Sequence, residues 1–197
     1  TFGTPEANMA TMALSQLVKR LGIPVRSGGG QVTSSNAADG QAMQDSTSSM
    51  WATMISGANQ VWHSAGWLEG GLTMSYEKFV LDLDNCGMLM QMMKGIQVNE
   101  ETLTKESYYE SGPGENFLST AHTLRNFATA NYQSSLPDTG PYETWSENGS
   151  LTAAQRANGI WKAMLANYEM PHMDENIDEA LKDFIACRKE TMSDEWY

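Results

Sequence analysis

An α/β fold is the class this sequence predicts, and three observations predict it. Helical and strand-like segments alternate through the first half of the 197-residue chain. A glycine-rich stretch follows each strand directly, as strand-to-helix loops do in parallel βα units. The second half instead carries apolar stripes at helical spacing and few strand signals.

The elements follow in order. Thr4-Pro5-Glu6 marks a helix start, with a Thr cap, a Pro where its missing N–H is harmless, and an early acid. Ala10, Ala13, Leu14, Leu17, Val18 and Leu21 recur at helical spacing, and Gly22 closes the helix. Ile23-Pro24-Val25-Arg26 reads as a short strand with its Pro at the entry, broken by Ser27-Gly28-Gly29-Gly30. A polar-rich helix spans about 36–55, with Ala38, Ala42, Met50 and Met54 on one side. Asn59-Gln60-Val61-Trp62-His63 is the second strand, and residues 73–93 form a long helix. Tyr76, Phe79, Val80, Leu83, Cys86, Met90 and Met93 are the expected buried face of that helix.

Further helices are expected near 100–109, 115–134, 152–168 and 175–190. Ser111-Gly112-Pro113-Gly114 and the run from Leu136 to Pro141 are turn clusters. Ile160, Trp161, Met164, Leu165 and Tyr168 stripe one helix, and Ile177, Leu181, Phe184 and Ile185 the last; both stripes read as core. There is no internal repeat and no low-complexity linker. One compact unit over 1–197 is therefore expected, with βα units in 1–98 and mainly helices in 99–197. A chain that opens almost inside a helix reads as a piece of a larger protein.

Composition narrows the function. Twelve basic against 24 acidic residues give a net charge of −12. Such a surface repels phosphate backbones, so nucleic acid is not an expected partner, whereas small cations are well tolerated. No apolar run is long enough to span a membrane. Cys86 and Cys187 are too few and too far apart for a disulfide framework, and read as buried, reduced thiols of a cytoplasmic protein. The 14 methionines read as core filler.

Residues 63–71, HSAGWLEGG, hold a histidine, a tryptophan and an acid on a glycine-rich backbone. Glycine pays the largest entropy on folding, so its use here points to a close approach of the backbone to something else. Trp62, Trp67, Tyr76 and Phe79 surround this stretch. Aromatic faces attract quaternary ammonium groups and a neighbouring acid such as Glu69 adds to the attraction, but on the residues alone a large loop residue packed on a rim explains Trp67 better. Gly28 to Gly30 suit either an anion cradle of backbone amides or a tight turn; the spacing of nucleotide loops is absent. His63, His122 and His172 lack zinc-ligand spacing, so no bound metal is expected. His122 lies within a helical run and His172 in a surface turn.

Five uncommon runs fall in order along the chain: GIPVRSGGG (22–30), NAADGQA (36–42), HSAGWLEGGLTMSYEKFVLD (63–82), GPGENFLSTAHTL (112–124) and QRANGIWKAMLANYE (155–169). Together they resemble the trimethylamine methyltransferase family of corrinoid-dependent methyltransferases. The resemblance implies the C-terminal part of a (β/α)8 TIM-type barrel with an α-helical C-terminal tail, the rest of the barrel preceding it. It implies transfer of a methyl group from an amine to Co(I) of a corrinoid (cobalamin) carried by a partner protein. Half a barrel leaves an open sheet edge and exposed apolar surface, so self-association into a homo-oligomer is expected. The founding members carry pyrrolysine at a place that aligns near Gly28 to Gln31, where this sequence has ordinary residues. Relatives without it demethylate quaternary amines such as glycine betaine, whose nitrogen already carries the charge of a good leaving group.

By the same resemblance, His63, Glu69 and His122 are the candidate catalytic residues, and Arg26, Gly29, Gly30, Trp67 and Phe79 the candidate substrate-binding ones. Trp67 or a neighbouring aromatic would face an ammonium, Glu69 balance its charge, Arg26 and His63 hold a betaine carboxylate, and His122 complete the pocket or the corrinoid face. Glu115, in GPGENFL, departs from the smaller residue the family pattern leads one to expect. The competing reading is a non-catalytic fragment or module that binds a cationic methylamine or a protein partner.

Overall fold

The computed structural model describes residues 1–27 and 30–192. It is a mostly helical α/β structure with two small sheets, and no closed barrel is present among the described residues. Contacts divide the chain into Thr1–Ala163 and Met164–Tyr197.

In the first unit, α1 (Pro5–Arg20) starts where expected, Thr4 Oγ1 accepting from the Ala7 amide. Two strands pair in parallel, β1 (Arg26–Ser27) with β2 (Gln60–Val61), and α2 (Gly40–Ile55) is the crossover between them. The first strand is shorter than the expected 23–26. Proline has no N–H to give, and the Asn59 side chain takes the Val25 amide, so the ladder begins at Arg26. Pairing continues irregularly beyond the strands, with Gly30 N–H donated to Trp62 O and Gln31 N–H to His63 O.

Next, β3 (Trp67–Leu68) and β4 (Thr73–Met74) form an antiparallel hairpin around a 3-10 turn at Glu69–Gly71. Ser75 caps α3 (Tyr76–Met93) through the Lys78 amide. Short helices follow: α4 (Glu100–Leu103), α5 (Lys105–Glu110), α6 (Ala121–Asn126) and α7 (Tyr142–Glu147), then α8 (Ala153–Ala166). The helix expected over 115–134 shrinks to α6. Asn116 Oδ1 accepts from the Leu118 amide in a local turn, and Thr120 caps a new start at its own hydroxyl.

The buried face of α3 is not the expected one. Val80 is buried as foreseen, but Tyr76, Phe79, Leu83, Met90 and Met93 are exposed, while Lys78, Leu81, Asp82, Asp84, Asn85 and Leu89 are buried. Val80 and Leu81 pack with Leu136 and Ala157 of α8, flanked by Met43, Ile160 and Trp161. Glu77 fastens the two helices, accepting from Asn158 Nδ2 at 2.7 Å and Trp161 Nε1 at 2.8 Å, while Tyr76 stacks on Trp161 at 4.8 Å.

Other apolar stripes also face outward. Leu14, Leu17 and Leu21 are 62 %, 63 % and 73 % exposed. Most methionines lie on the surface, Met9, Met74, Met90, Met93 and Met170 among them, so core filling describes Met50 but not the set. Cys86 is half-buried and Cys187 exposed, rather than both buried. In the second unit, α9 (Glu175–Thr191) carries the expected Ile177, Leu181, Phe184 and Ile185 stripe, all exposed within that unit.

Two outcomes follow. Asn158 and then Trp161 hold the Glu77 carboxyl well below its ordinary value, at about 2. Its charged form is therefore favoured by folding, a contribution present above pH 4.5 and lost as pH falls towards 2. Glu77→Gln is expected to lower stability at pH 7 by roughly 1–2 kcal/mol, a gap that closes on acidification in urea titrations; a gap independent of pH refutes the role given to the charge. Second, the 197-residue chain on its own is expected to self-associate through its apolar faces, and a monomer by light scattering with no dye-binding apolar patch contradicts this.

Candidate functional site

The stretch HSAGWLEGG is a folded loop with unusual backbone. His63, Gly66, Glu69, Gly70 and Gly71 all have positive φ, at 54°, 87°, 53°, 66° and 97°. Left-handed backbone is uncommon outside glycine, so His63 and Glu69 are strained unless their surroundings fix them. The surroundings do. Glu69 N–H donates to Ser35 O at 2.9 Å and Gly70 N–H to Thr33 O at 2.8 Å, stitching the hairpin to the loop after β1. Gly66 is buried, and a Cβ there would meet Met74 Cε at 3.1 Å and Phe79 Cβ at 3.3 Å. Gly70 meets nothing, so its glycine answers to backbone angle alone.

Beneath this loop lies a buried polar cluster. Lys78 and Asp82, one turn apart on α3, are both fully buried and paired at 2.5 Å. Lys78 Nζ also donates to Ser46 Oγ of α2 at 2.7 Å and to Gln31 O at 3.2 Å. Asp82 Oδ2 accepts the Gly66 amide at 2.8 Å. The Gln31 side chain donates to Ser64 O at 2.6 Å, Asp82 O at 3.0 Å and Cys86 Sγ at 2.9 Å, and accepts from Asn85 Nδ2 at 2.6 Å. Burial disfavours each charge: it pushes Asp82 up to about 6 against the pull of Lys78, and Lys78 down against the pull of Asp82. Burial, then the Asp82 charge, raises the Cys86 thiol.

The sequence-predicted residues fall into groups. Arg26, Trp62, His63 and Trp67 form one continuous row: the Arg26 guanidinium sits 4.1 Å from the Trp62 ring centre, Trp62 and His63 meet edge-on at 6.3 Å, and His63 and Trp67 at 5.1 Å. Glu69 is exposed two residues along and accepts from Thr73 Oγ1 at 3.1 Å. Phe79 lies against Gly66. Gly30 is buried with its N–H spent on Trp62 O, and an added Cβ would meet Val61, Met50 and Trp62 O; at this residue the glycine serves close packing of backbone, not an open amide. Gly29 lies outside the described residues. His122 sits apart on α6, its Nε2 2.9 Å from Glu101 O, in a cluster that Arg125 and Asn126 complete around Glu101.

Sequence reasoning missed Gln31, Ser46, Lys78, Asp82 and Asn85. Their signal was present, since Lys78 and Asp82 stand four apart inside the apolar run KFVLDL, a spacing that lets a pair enter a core together.

The comparisons with known proteins bear on the whole stretch. The family model described as Trimethylamine methyltransferase (MTTB) matches residues 1–193. The chain belongs to the trimethylamine methyltransferase family. A glycine betaine methyltransferase of Desulfitobacterium hafniense is 37% identical over 195 residues, covering 99% of this chain and 40% of the relative. Trimethylamine methyltransferases of Methanosarcina mazei and of Methanosarcina barkeri strain Fusaro are each 33% identical over 186 residues, covering 93% of this chain and 36% of theirs. The chain thus spans about two fifths of the length of these family members.

The buried pair and the loop glycines give paired expectations. Lys78→Met leaves Asp82 buried without a counter-charge, a loss of about 3–5 kcal/mol near pH 8. The loss shrinks towards pH 5, where Asp82 takes up a proton, because a carboxyl raised to about 6 favours the folded state only below that range. Chemical denaturation at the two pH values tests this, and an equal loss at both refutes it. Gly66→Ala, strained and crowded, is expected to destabilise by about 2 kcal/mol or more, against about 1 kcal/mol for Gly70→Ala, which is strained only.

Proposed function

We propose that this chain is the C-terminal part of a TIM-type barrel methyltransferase that takes a methyl group from a quaternary methylamine bearing a carboxylate, of the glycine betaine type. The β1–α2–β2 unit is the repeating piece of such a barrel, and the exposed apolar faces of α1 and α3 are where the remaining barrel would pack. The methyl acceptor in this reading is the Co(I) of a corrinoid held by a partner protein, which supplies the nucleophile when docked. A flat ring needs an open rim. Gly70 has free space beside it and Leu72 is 84 % exposed, so the hairpin tip fits that approach.

The row from Arg26 to Trp67 carries the substrate class. Aromatic rings at Trp62 and Trp67 suit an ammonium, and Glu69 adds the opposite charge nearby. Arg26 is exposed, stacked on Trp62, and no described carboxylate pairs with it. A guanidinium held in this way suits a carboxylate on the substrate, which glycine betaine has and choline lacks. With no nucleophile asked of the chain, its residues orient one N–CH3 bond and exclude water. His63, edge-on to both tryptophans, fixes their spacing, while His122 belongs to a separate cluster and would act only if the complete site brings it near.

Isothermal titration of the full-length protein with glycine betaine, carnitine, choline and trimethylamine tests the reading. Glycine betaine or carnitine is expected to bind best. Trp67→Ala is expected to weaken that binding about tenfold, the size of a desolvated cation–π contact. Arg26→Gln should remove the preference over choline while leaving choline binding intact. Binding of none of the four, or unchanged binding in both variants, refutes the assignment; binding without methyl transfer to any corrinoid protein supports the non-catalytic module instead.

A further inference from the structure

We infer that Asp82 is a positioning residue for the HSAGWLEGG loop: its carboxylate sets where Trp67 and His63 stand by holding the Gly66 amide. The inference rests on the reading of that loop as a methylammonium site. Asp82 lies on α3, fully buried and paired with Lys78. Its Oδ2 takes the N–H of Gly66, the residue just before Trp67 and three after His63. The other end of the same segment is held through Gln31, whose Nε2 donates to Ser64 O and to Asp82 O. Lys78 completes the clamp by joining Asp82 to Ser46 on α2 and to the Gln31 carbonyl.

A purely structural account explains this poorly. A buried ion pair is often no more stabilising than apolar residues of the same volume. An apolar pair here would fill the space between α2 and α3 and still offer no acceptor to Gly66. What the carboxylate adds is direction: one left-handed turn at Gly66, hence one position for Trp67. Met74 and Phe79 crowd the place where a Gly66 Cβ would stand, so the backbone there is closely packed as well as hydrogen-bonded. Two neighbours of Gly66, His63 and Glu69, also hold left-handed backbone that would relax if the clamp opened.

Two double variants of the full-length protein separate the roles. Lys78→Met with Asp82→Leu removes both charge and acceptor. Lys78→Met with Asp82→Asn removes the charge pair but keeps a side-chain oxygen for Gly66. Hydrogen exchange of the 63–69 amides and glycine betaine affinity are measured in both. The leucine form is expected to lose loop protection and to bind up to about tenfold more weakly, approaching the loss of the Trp67 contact itself, while the asparagine form keeps both. Equal loop exchange in the two variants overturns the inference, as does a loosened loop with unchanged affinity. Should neither variant fold, the wild-type Gly66 amide decides: exchange as slow as that of the α3 core supports the clamp, and exchange as fast as the exposed hairpin tip overturns it. If the wild type binds none of the four amines, the functional reading falls and the exchange comparison alone decides the clamp.

Discussion

The Lys78–Asp82 pair is the constraint from which the rest of the first unit follows. Two charges taken wholly out of water are tolerable only when every donor and lone pair finds a partner. Lys78 has three N–H groups and spends them on Asp82, Ser46 and the Gln31 carbonyl. Those partners belong to three different segments, so meeting the requirement at one nitrogen brings α2, α3 and the loop after β1 to a common point. Asp82 adds a fourth segment through Gly66. Polar satisfaction, rather than apolar burial, decides how α3 is rotated.

That rotation has a consequence on the opposite side. With Lys78, Asp82 and Asn85 inward, Phe79, Leu83, Met90 and Met93 turn outward. The α1 face of Leu14, Leu17 and Leu21 is likewise uncovered, and the β1–β2 sheet has only two strands. A water-facing surface seldom leaves this many large apolar side chains on two helices uncovered without a partner. The chain spans about two fifths of its relatives' length, and in our proposal the remaining barrel supplies that partner. The second unit is consistent in kind, since α9 leaves one apolar stripe uncovered within it.

What was legible in the sequence depended on whether periodicity or partnering set the outcome. The α1, α2, α3, α8 and α9 helices were legible because each repeats its pattern over several turns and starts at a side-chain cap or a turn signal. The β3–β4 hairpin was not, because two residues per strand are too few to show a period of two. The helix over 115–134 was overextended because Asn116 takes the Leu118 amide and Thr120 the Thr123 amide locally, which apolar spacing does not register. The buried face of α3 was misjudged because amphipathic reasoning sends every charge to water, and a pair four residues apart can be buried together. The site divided the same way. That HSAGWLEGG follows a strand and precedes a helix was readable, whereas of the four aromatics expected around it Trp62 and Trp67 join the row with His63, and Tyr76 stacks on Trp161 instead. The residues holding that loop in place, Gln31 and Asp82, left only the four-residue spacing of Lys78 and Asp82 as a signal, because their loop partners Ser64 and Gly66 lie far from them in sequence.

The glycines of HSAGWLEGG now have separate reasons. Gly66 is required by both angle and space, Gly70 by angle, and the turn between them by the stitching to Thr33 and Ser35. Strained backbone of this kind persists only where surrounding bonds over-determine it, and here a buried charge pair on one side and a hairpin on the other provide them. A strained loop tied down by this many hydrogen bonds is suited to hold its side chains in place before any ligand arrives. In our proposal the protein contributes no nucleophile of its own, and alignment is then most of what it can contribute to a displacement at carbon. The expense of burying Lys78 and Asp82 is thus best understood together with the loop they hold, as two parts of one device for placing an aromatic face.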